Sequence, residues 1–426
     1  MAEAVRLTVR PGVTLTALQT EQFKTGVLSL SLLRPLSRGE AGLSALLPQV
    51  LCRGSRGHPD MTRLAARLET LYGARLEPAV RKKGEVQCVG LTAGFVNGAY
   101  LPGRPDQLRD VAALMGEILL DPAGDGAFLP AYVTGERAVL ADRIRAERNH
   151  KPTYAVRRML AHMCAGEAYG AHELGEAHAV ETIEPAALWA HYRAVLARSQ
   201  VALFYAGPRP PDEAADIWRG ALDALPRAAS FDGADTRVVR TAASCQTYEE
   251  RMDVTQGTLI LGMRLGVAAG DAQYPAALLA AAVYGGTTTS KLFLGVRERL
   301  SLAYYASAGL EGHKGILVVS SGIAVKNRAA AQEEILRQWA AVAAGEISDE
   351  ELEAARLSLI HRLRAAADRP DRLEDHFLGQ AAGGRTEGPD ALAERLRGVG
   401  RSEVAAVAAG GAWDTVYFLR GEETDG

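Results

Sequence analysis

The sequence predicts an α+β protein of two homologous domains, each a largely antiparallel sheet covered by helices on one face. Three observations carry this. At 426 residues the chain exceeds what one hydrophobic core serves, since domains cluster at about 100–150 residues. Strand-like runs alternate with long helical periodicities, yet the first strand lacks the Gly-rich turn that opens a doubly wound parallel sheet. The order of elements in the first half also recurs in the second, each half closing on a compact apolar run ended by glycine, Val201–Gly207 and Thr415–Gly421.

Taken in order, alternation over Leu7–Leu15 and a leucine-rich run over Gly26–Leu33 predict two strands. Met61, Leu64, Leu68, Leu71 and Tyr72 then recur at intervals of three and four, the spacing of one buried helix face, with Asp60 placed to cap the helix and Gly73 to end it. Arg75–Arg81 and Glu85–Ala93 read as a hairpin, followed by helices over 105–120, 129–149, 152–165 and 186–197. The apolar run Val201–Gly207 reads as a central strand.

The second half retraces this succession. It predicts a strand Thr258–Leu265, a helix Tyr274–Tyr284, strands Leu302–Leu310 and Gly315–Val325, and helices over 328–344 and 348–367. Ser348 and Glu351 have the spacing of a capping box at the start of the last of these. Between the halves, Pro226, Ser230, Asp232, Gly233 and Asp235 break periodicity across Leu225–Tyr248, which reads as a connector dividing the chain into 1–235 and 236–426.

Composition excludes several classes of function. Hydrophobic residues at 48% with 23% charged residues are those of an ordinary globular chain. Lys plus Arg number 48 against 51 Asp plus Glu, a balance that leaves no overall field to draw nucleic acid or an anionic membrane. Cys52, Cys88, Cys164 and Cys245 are far apart with no C-x-x-C spacing, which argues against a disulfide framework or a thiolate zinc knuckle and for buried thiols in a reducing compartment. The amino end has no signal-peptide pattern and no apolar run reaches 18 residues, so the expected location is the cytoplasm.

Two tempting motifs have bland readings. His172 and His178 flank Gly175 at a spacing wrong for one helix face, and read as loop residues rather than metal ligands. Gly285–Gly286 precedes a serine and a lysine, but the G-K-[ST] order of a phosphate cradle is absent.

The duplication and the segment from Gly285 through Ser290, Lys291 and Arg297 to Ala303 and Tyr304 resemble the insulinase, or pitrilysin-type, family over nearly the whole chain. Active members of that family resemble G-L-x-H-x-x-E-H, in which two histidines bind zinc and the glutamate activates water. The stretch that matches here is Gly42-Leu43-Ser44-Ala45-Leu46-Leu47-Pro48-Gln49, so Ala45, Pro48 and Gln49 stand where the histidine, glutamate and histidine belong. The third family ligand, placed by Glu136-Arg137-Ala138-Val139, falls at Arg143, with Asp142 and Glu147 as alternative registers. Alanine cannot coordinate, proline has no carboxylate to serve as base, and a neutral amide is a poor zinc ligand, so the site is not expected to form; a cation at the fourth position repels the metal.

The resemblance also implies what is retained. An arginine followed seven residues later by a tyrosine holds substrate in the family, and here matches Arg297 and Tyr304; both donate hydrogen bonds to a peptide carbonyl. Read from the residues alone, the same pair is a surface ion pair and a core phenol, as most such residues are. In the family an extended peptide adds to the edge of the amino-terminal sheet; the matching strand here carries Pro78 and Arg81-Lys82-Lys83, which guard an edge.

The resemblance thus implies a catalytically silent subunit of a bacterial heterodimer. It has no cofactor of its own and pairs with an H-x-x-E-H-bearing homologue, or with itself. That partner holds the zinc, and the substrate is a peptide or unfolded polypeptide. Within that set the chain is most similar to proteins associated with aminopentanol modification of elongation factor P. The alternative reading is a purely structural scaffold of the same fold.

Overall fold

The computed structural model describes residues 4–233 and 235–421. Its mixed α and β elements build two sheets, of six and five strands. The first comprises β1 (Ala4–Arg10), β2 (Val13–Gln19), β3 (Thr25–Pro35), β4 (Arg75–Lys83), β5 (Val86–Val96) and β6 (Gln200–Gly207) in the spatial order β1-β2-β6-β3-β5-β4. The second comprises β7 (Gln246–Arg251), β8 (Gly257–Arg264), β9 (Ala303–Glu311), β10 (Ile316–Ile323) and β11 (Ala412–Arg420) in the order β7-β11-β8-β10-β9. In each sheet one pair is parallel, β2 with β6 and β7 with β11, and the other pairs are antiparallel. Laid side by side, β2-β6-β3-β5-β4 repeats as β7-β11-β8-β10-β9, so the duplication legible in the sequence is a duplication of strand order.

Most sequence-predicted elements are present, with some differences. The alternation over Leu7–Leu15 gives two strands rather than one, because Gly12 turns at φ +69°, a conformation open to glycine, and the run folds back as the β1–β2 hairpin. Asp60 caps helix Met61–Thr70 through a 2.9 Å bond from the Arg63 amide. Leu64 and Leu71 of that helix face are buried, but Met61 and Tyr72 are exposed. The helix expected over Tyr274–Tyr284 is regular only to Ala281 and then widens into π-type turns to Gly286. The Ser348–Glu351 capping box forms reciprocally, at 2.8 and 3.1 Å. Of the cysteines, Cys88 and Cys164 are buried, Cys52 is half-buried and Cys245 is exposed, and all four are free thiols. Among the described residues no helix is long and apolar enough to cross a membrane.

The chain forms two compact units, and it passes between them five times. One unit holds residues up to Arg145, Ala171–Asp235 and Ala366–Gly388; the other holds Ala146–Gly170, Thr236–Ala365 and Pro389 onward. In the first unit, Leu28, Leu30 and Leu32 of β3 face a core built with helices Ala41–Leu51, Gln107–Leu120 and Pro185–Arg198. Successive strand residues point to opposite faces, and Leu33, Cys88 and Phe204 meet Phe377 and Leu378 of helix Pro370–Ala382 on the other side. The expected helix layer is therefore present on one face of the sheet, with a single further helix on the second face. Arg81 grips Glu374 of that helix with both terminal nitrogens, one at 2.8 Å, and Lys83 reaches Asp375 at 2.7 Å.

The second unit is built the same way. Leu259, Leu261 and Met263 of β8 enter its main core, while Ile260, with Tyr417 and Leu419 of β11, packs against Tyr154, Met159 and Met163 of helix Lys151–Met163. Beyond the end of that helix, Glu167 receives Arg264 at 2.6 Å and the fully buried Lys314 at 2.6 Å, and Arg264 also holds Asp414 at 3.0 Å. Burial alone raises the Glu167 carboxyl, but hydrogen bonds from Arg264 and Lys314 outweigh it and hold the group below the ordinary glutamate range.

Two outcomes follow. Residues 1–235 produced alone lack the helix that covers one face of β3 and β6, and are expected to be insoluble or molten by near-UV circular dichroism until a fragment containing 366–388 is supplied. Glu167 with a depressed folded pKa stabilises the protein fully above the unfolded value of about 4.3 and loses that contribution as pH falls through the folded pKa. Glu167→Gln takes the carboxylate away from buried Lys314 and leaves Arg264 with Asp414 alone, and is expected to cost about 3–5 kcal/mol at neutral pH by urea unfolding, with a shallower loss of stability below pH of about 4; an unchanged urea midpoint would contradict this.

Candidate functional site

Two places hold the sequence-predicted site residues, one in each unit. In the first unit, Ala45, Pro48 and Gln49 lie on helix Ala41–Leu51. Ala45 is fully buried within the main hydrophobic core, Pro48 is buried, and Gln49 is half-buried. Pro48 sits inside the helix, where it has no amide hydrogen to donate to Ser44 four residues back. The position of the first expected ligand is thus not an empty cup; it is filled with packed carbon.

The surroundings of this helix are engaged in structural contacts that the sequence reading did not anticipate. Ser44 Oγ and His191 Nε2 share a buried 2.9 Å hydrogen bond. Burial, reinforced by the Arg34 charge, pushes the His191 imidazole down to about 4, so it is neutral at pH 7. Arg53, two residues past the helix, donates to Glu136 at 3.2 Å and lies 5.4 Å over the Tyr132 ring. Burial raises the Glu136 carboxyl against the opposing charge of Arg53. Burial, with Glu136 nearby, pushes the Cys52 thiol up to about 12, which removes it as a thiolate ligand or nucleophile.

The remaining ligand candidates do not converge on the helix. Arg143 is exposed on helix Pro130–Ala146. Asp142 is exposed and pairs with Arg145 at 3.2 Å, and Glu147 pairs with Arg157. His172 accepts the Leu174 amide at 3.0 Å in a turn that continues into Gly175, φ +77°. A side chain at Gly175 would lie 2.6 Å from the Gly42 backbone nitrogen, so the glycine is required by close approach to the start of helix Ala41–Leu51. Among the described residues no three His, Cys, Asp or Glu side chains are grouped to hold a metal. Zinc demands about four converging N, O or S donors, and the alanine, proline, amide and cation at the four matching positions do not fit it.

In the second unit, Arg297 lies on a widened helical turn, Phe293–Arg299, that leads into β9. Its guanidinium stacks 4.7 Å over Phe293, and its nearest carboxylate is Glu298 at 3.6 Å, beyond hydrogen-bond distance. The side chain is 44% exposed. Tyr304, the second residue of β9, is 59% exposed, so its phenol is not a core group. No hydrogen bond joins the two among the described residues. They flank a tight turn at Ser301, φ +49°, closed by Leu302 N to Val296 O at 3.0 Å. Gly285 packs on the same strand: a side chain there would lie 2.5 Å from the Ala308 nitrogen. Lys291 is tied to Glu351 at 3.0 Å. The glycine and lysine that mimic a phosphate loop thus have packing and ion-pair roles.

With this geometry in hand, comparison with other proteins is direct. Residues 182–359 match the family described as the peptidase M16 inactive domain. A Bacillus subtilis (strain 168) protein described as probable inactive metalloprotease YmfF is 31% identical over 418 residues, covering 97% of this chain and 96% of that one. The crystal structure of a conserved protein from Enterococcus faecalis V583 superposes with TM-score 0.90 at 26% identity and full coverage of both chains. That of a protease from Helicobacter pylori superposes with TM-score 0.82 at 12% identity, covering 99% of this chain and 100% of that one, and shows the shared fold.

The filled ligand position predicts its own response to restoration. Ala45→His forces a larger polar ring into a sealed core, and is expected to cost about 2 kcal/mol or more by urea unfolding. In the unaltered chain, EDTA is expected to leave the melting temperature unchanged. A chelator-induced fall in melting temperature, or an Ala45→His variant as stable as the parent, would show that the helix surroundings are open rather than filled.

Proposed function

We infer the function of this chain from the family to which it belongs, the M16 or insulinase-type metallopeptidases, of which it is an inactive member. Its role is that of a silent, peptide-binding subunit, in which Arg297 and Tyr304 engage the substrate and complete the active site of a homologous partner bearing H-x-x-E-H. Zinc and the water-activating glutamate belong to that partner.

One contrast supports this reading. The positions that would make the chain a self-sufficient enzyme are absorbed into packing: Ala45 is sealed in the core and Pro48 is buried in a helix. Arg297 and Tyr304, by contrast, are held at the surface, the arginine without a hydrogen-bonded carboxylate and the phenol outside the core. Burying an apolar side chain stabilises a fold by about 1.5–3 kcal/mol. A tyrosine left this exposed contributes little to folding and is accessible to a substrate. A guanidinium and a phenol supply donors that strengthen as negative charge develops on a peptide carbonyl during attack.

The test is reconstitution. Mixing this chain with an H-x-x-E-H-bearing homologue is expected to create or raise peptidase activity. Arg297→Ala should lower kcat/KM by about 10²-fold, within the range for loss of one oxyanion donor, and Tyr304→Phe by about tenfold. Assembly that proceeds normally while both substitutions leave activity unchanged would instead identify the chain as a scaffold.

A further inference from the structure

We propose that the outer edge of β9 accepts an extended peptide as an added strand, with the Arg297 guanidinium and the Tyr304 hydroxyl receiving its carbonyl oxygens at one end. This rests on the reading of Arg297 and Tyr304 given above and adds the surface on which the rest of the peptide lies.

The two sheets end in equivalent strands, β4 and β9, and the two edges differ in chemistry. β4 is guarded. Pro78 removes a ladder donor, and Arg75, Arg81, Lys82 and Lys83 place charge along the strand. Three of those cations are drawn into the fold: Arg81 and Lys83 hold helix Pro370–Ala382, and Lys82 donates to the Ala171 carbonyl at 3.2 Å.

β9 contains no proline, and its one charged residue, Glu311, closes the strand at its far end. From Ala303 to Leu310 it contains neither proline nor a charged residue, and it pairs along its length with β10. On its other side, among the described residues, these eight positions make no backbone hydrogen bond beyond that ladder. A strand edge with unsatisfied N–H and C=O groups, and nothing to repel a neighbour, is a template for an incoming chain.

The side chains along the edge fit a peptide of mixed sequence. Tyr304, Ser307 and Gly309 are the exposed positions, while Ala303 and Ala306 are buried. Beyond Tyr304 the exposed groups are a hydroxymethyl and a hydrogen, which leave room for the incoming residues and select few of them, so recognition falls on the main chain. Leu294 and Leu300, both exposed, add apolar surface on the segment of chain that leads into the strand. The flanking polar groups decide the occupant. Arg297 and the Tyr304 hydroxyl both offer donors, and an extended peptide supplies the complementary row of carbonyl acceptors and, at its end, a carboxylate.

The experiment uses the full chain and a fluorescein-labelled alternating Thr/Val peptide of about ten residues, the length of a long strand. Strand addition is read by period: only every second peptide amide faces β9. Methylating peptide nitrogens singly is expected to weaken binding by about fivefold or more at alternate positions and to leave the intervening ones unchanged. Hydrogen exchange with bound peptide is expected to slow at 303–310. Uniform tolerance of N-methylation, protection at 75–83 instead, or exchange protection that tracks dimer formation without peptide each overturns the proposal. Binding that falls with Arg297→Ala while 303–310 stay unprotected removes the added strand and leaves the Arg297 and Tyr304 reading standing. Protection of 303–310 that survives both Arg297→Ala and Tyr304→Phe does the reverse.

Discussion

The fold depends on central strands that are buried on both faces. β3 is buried from Leu28 to Arg34, and every residue of β8 is buried. A strand of this kind cannot leave one face to water, because exposing a leucine or phenylalanine forgoes about 1.5–3 kcal/mol each. One helix layer is therefore insufficient, and each sheet takes a single helix on its second face: Pro370–Ala382 over the first sheet and Lys151–Met163 over the second. Charge fixes where these helices dock. Arg81 and Lys83 select Glu374 and Asp375 in one unit, and beyond the helix end in the other Arg264 and Lys314 converge on Glu167. The apolar contacts supply most of the stabilisation. The ion pairs set register, since buried charges left unmatched cost more than matched ones contribute.

The same packing explains why the metal position is closed. In a chain that bound zinc on helix Ala41–Leu51, polar ligands would have to be spared from the core and oriented by second partners. Here the helix is committed to packing. Ala45 joins the core, Ser44 is tied to a neutral His191, and the glutamate of the Glu136-Arg137-Ala138-Val139 pattern is occupied by Arg53. No single substitution reopens such an arrangement, because each neighbour has acquired a different bond.

The surface of the second unit has the opposite character. Around β9 the structure leaves the donors of Arg297 and Tyr304 and the apolar side chains of Leu294 and Leu300 exposed, where β4 carries proline and charge. The two edges hold equivalent places in the repeated strand order, yet β4 carries proline and engaged cations where β9 has Tyr304, Ser307 and Gly309 at its exposed positions.

The sequence by itself determined the duplicated α+β architecture, because period-two and period-3.6 patterns and repeated element order are local properties that survive any arrangement in space. It also determined that Ala45, Pro48 and Gln49 stand where H-x-x-E-H has its histidines and glutamate, and none of the three is an imidazole or a carboxylate wherever it lies. The capping box at Ser348 and the cap at Asp60 were legible for the same local reason. Only tertiary structure decided that helix Lys151–Met163 covers the second sheet and helix Pro370–Ala382 the first, because an amphipathic period says that a face is buried and not against what. It likewise decided that Tyr304 is exposed, that Met61 is not in a core, and that the β1–β2 turn falls at Gly12. Burial depends on which surfaces the whole chain brings together, and no local spacing carries that information.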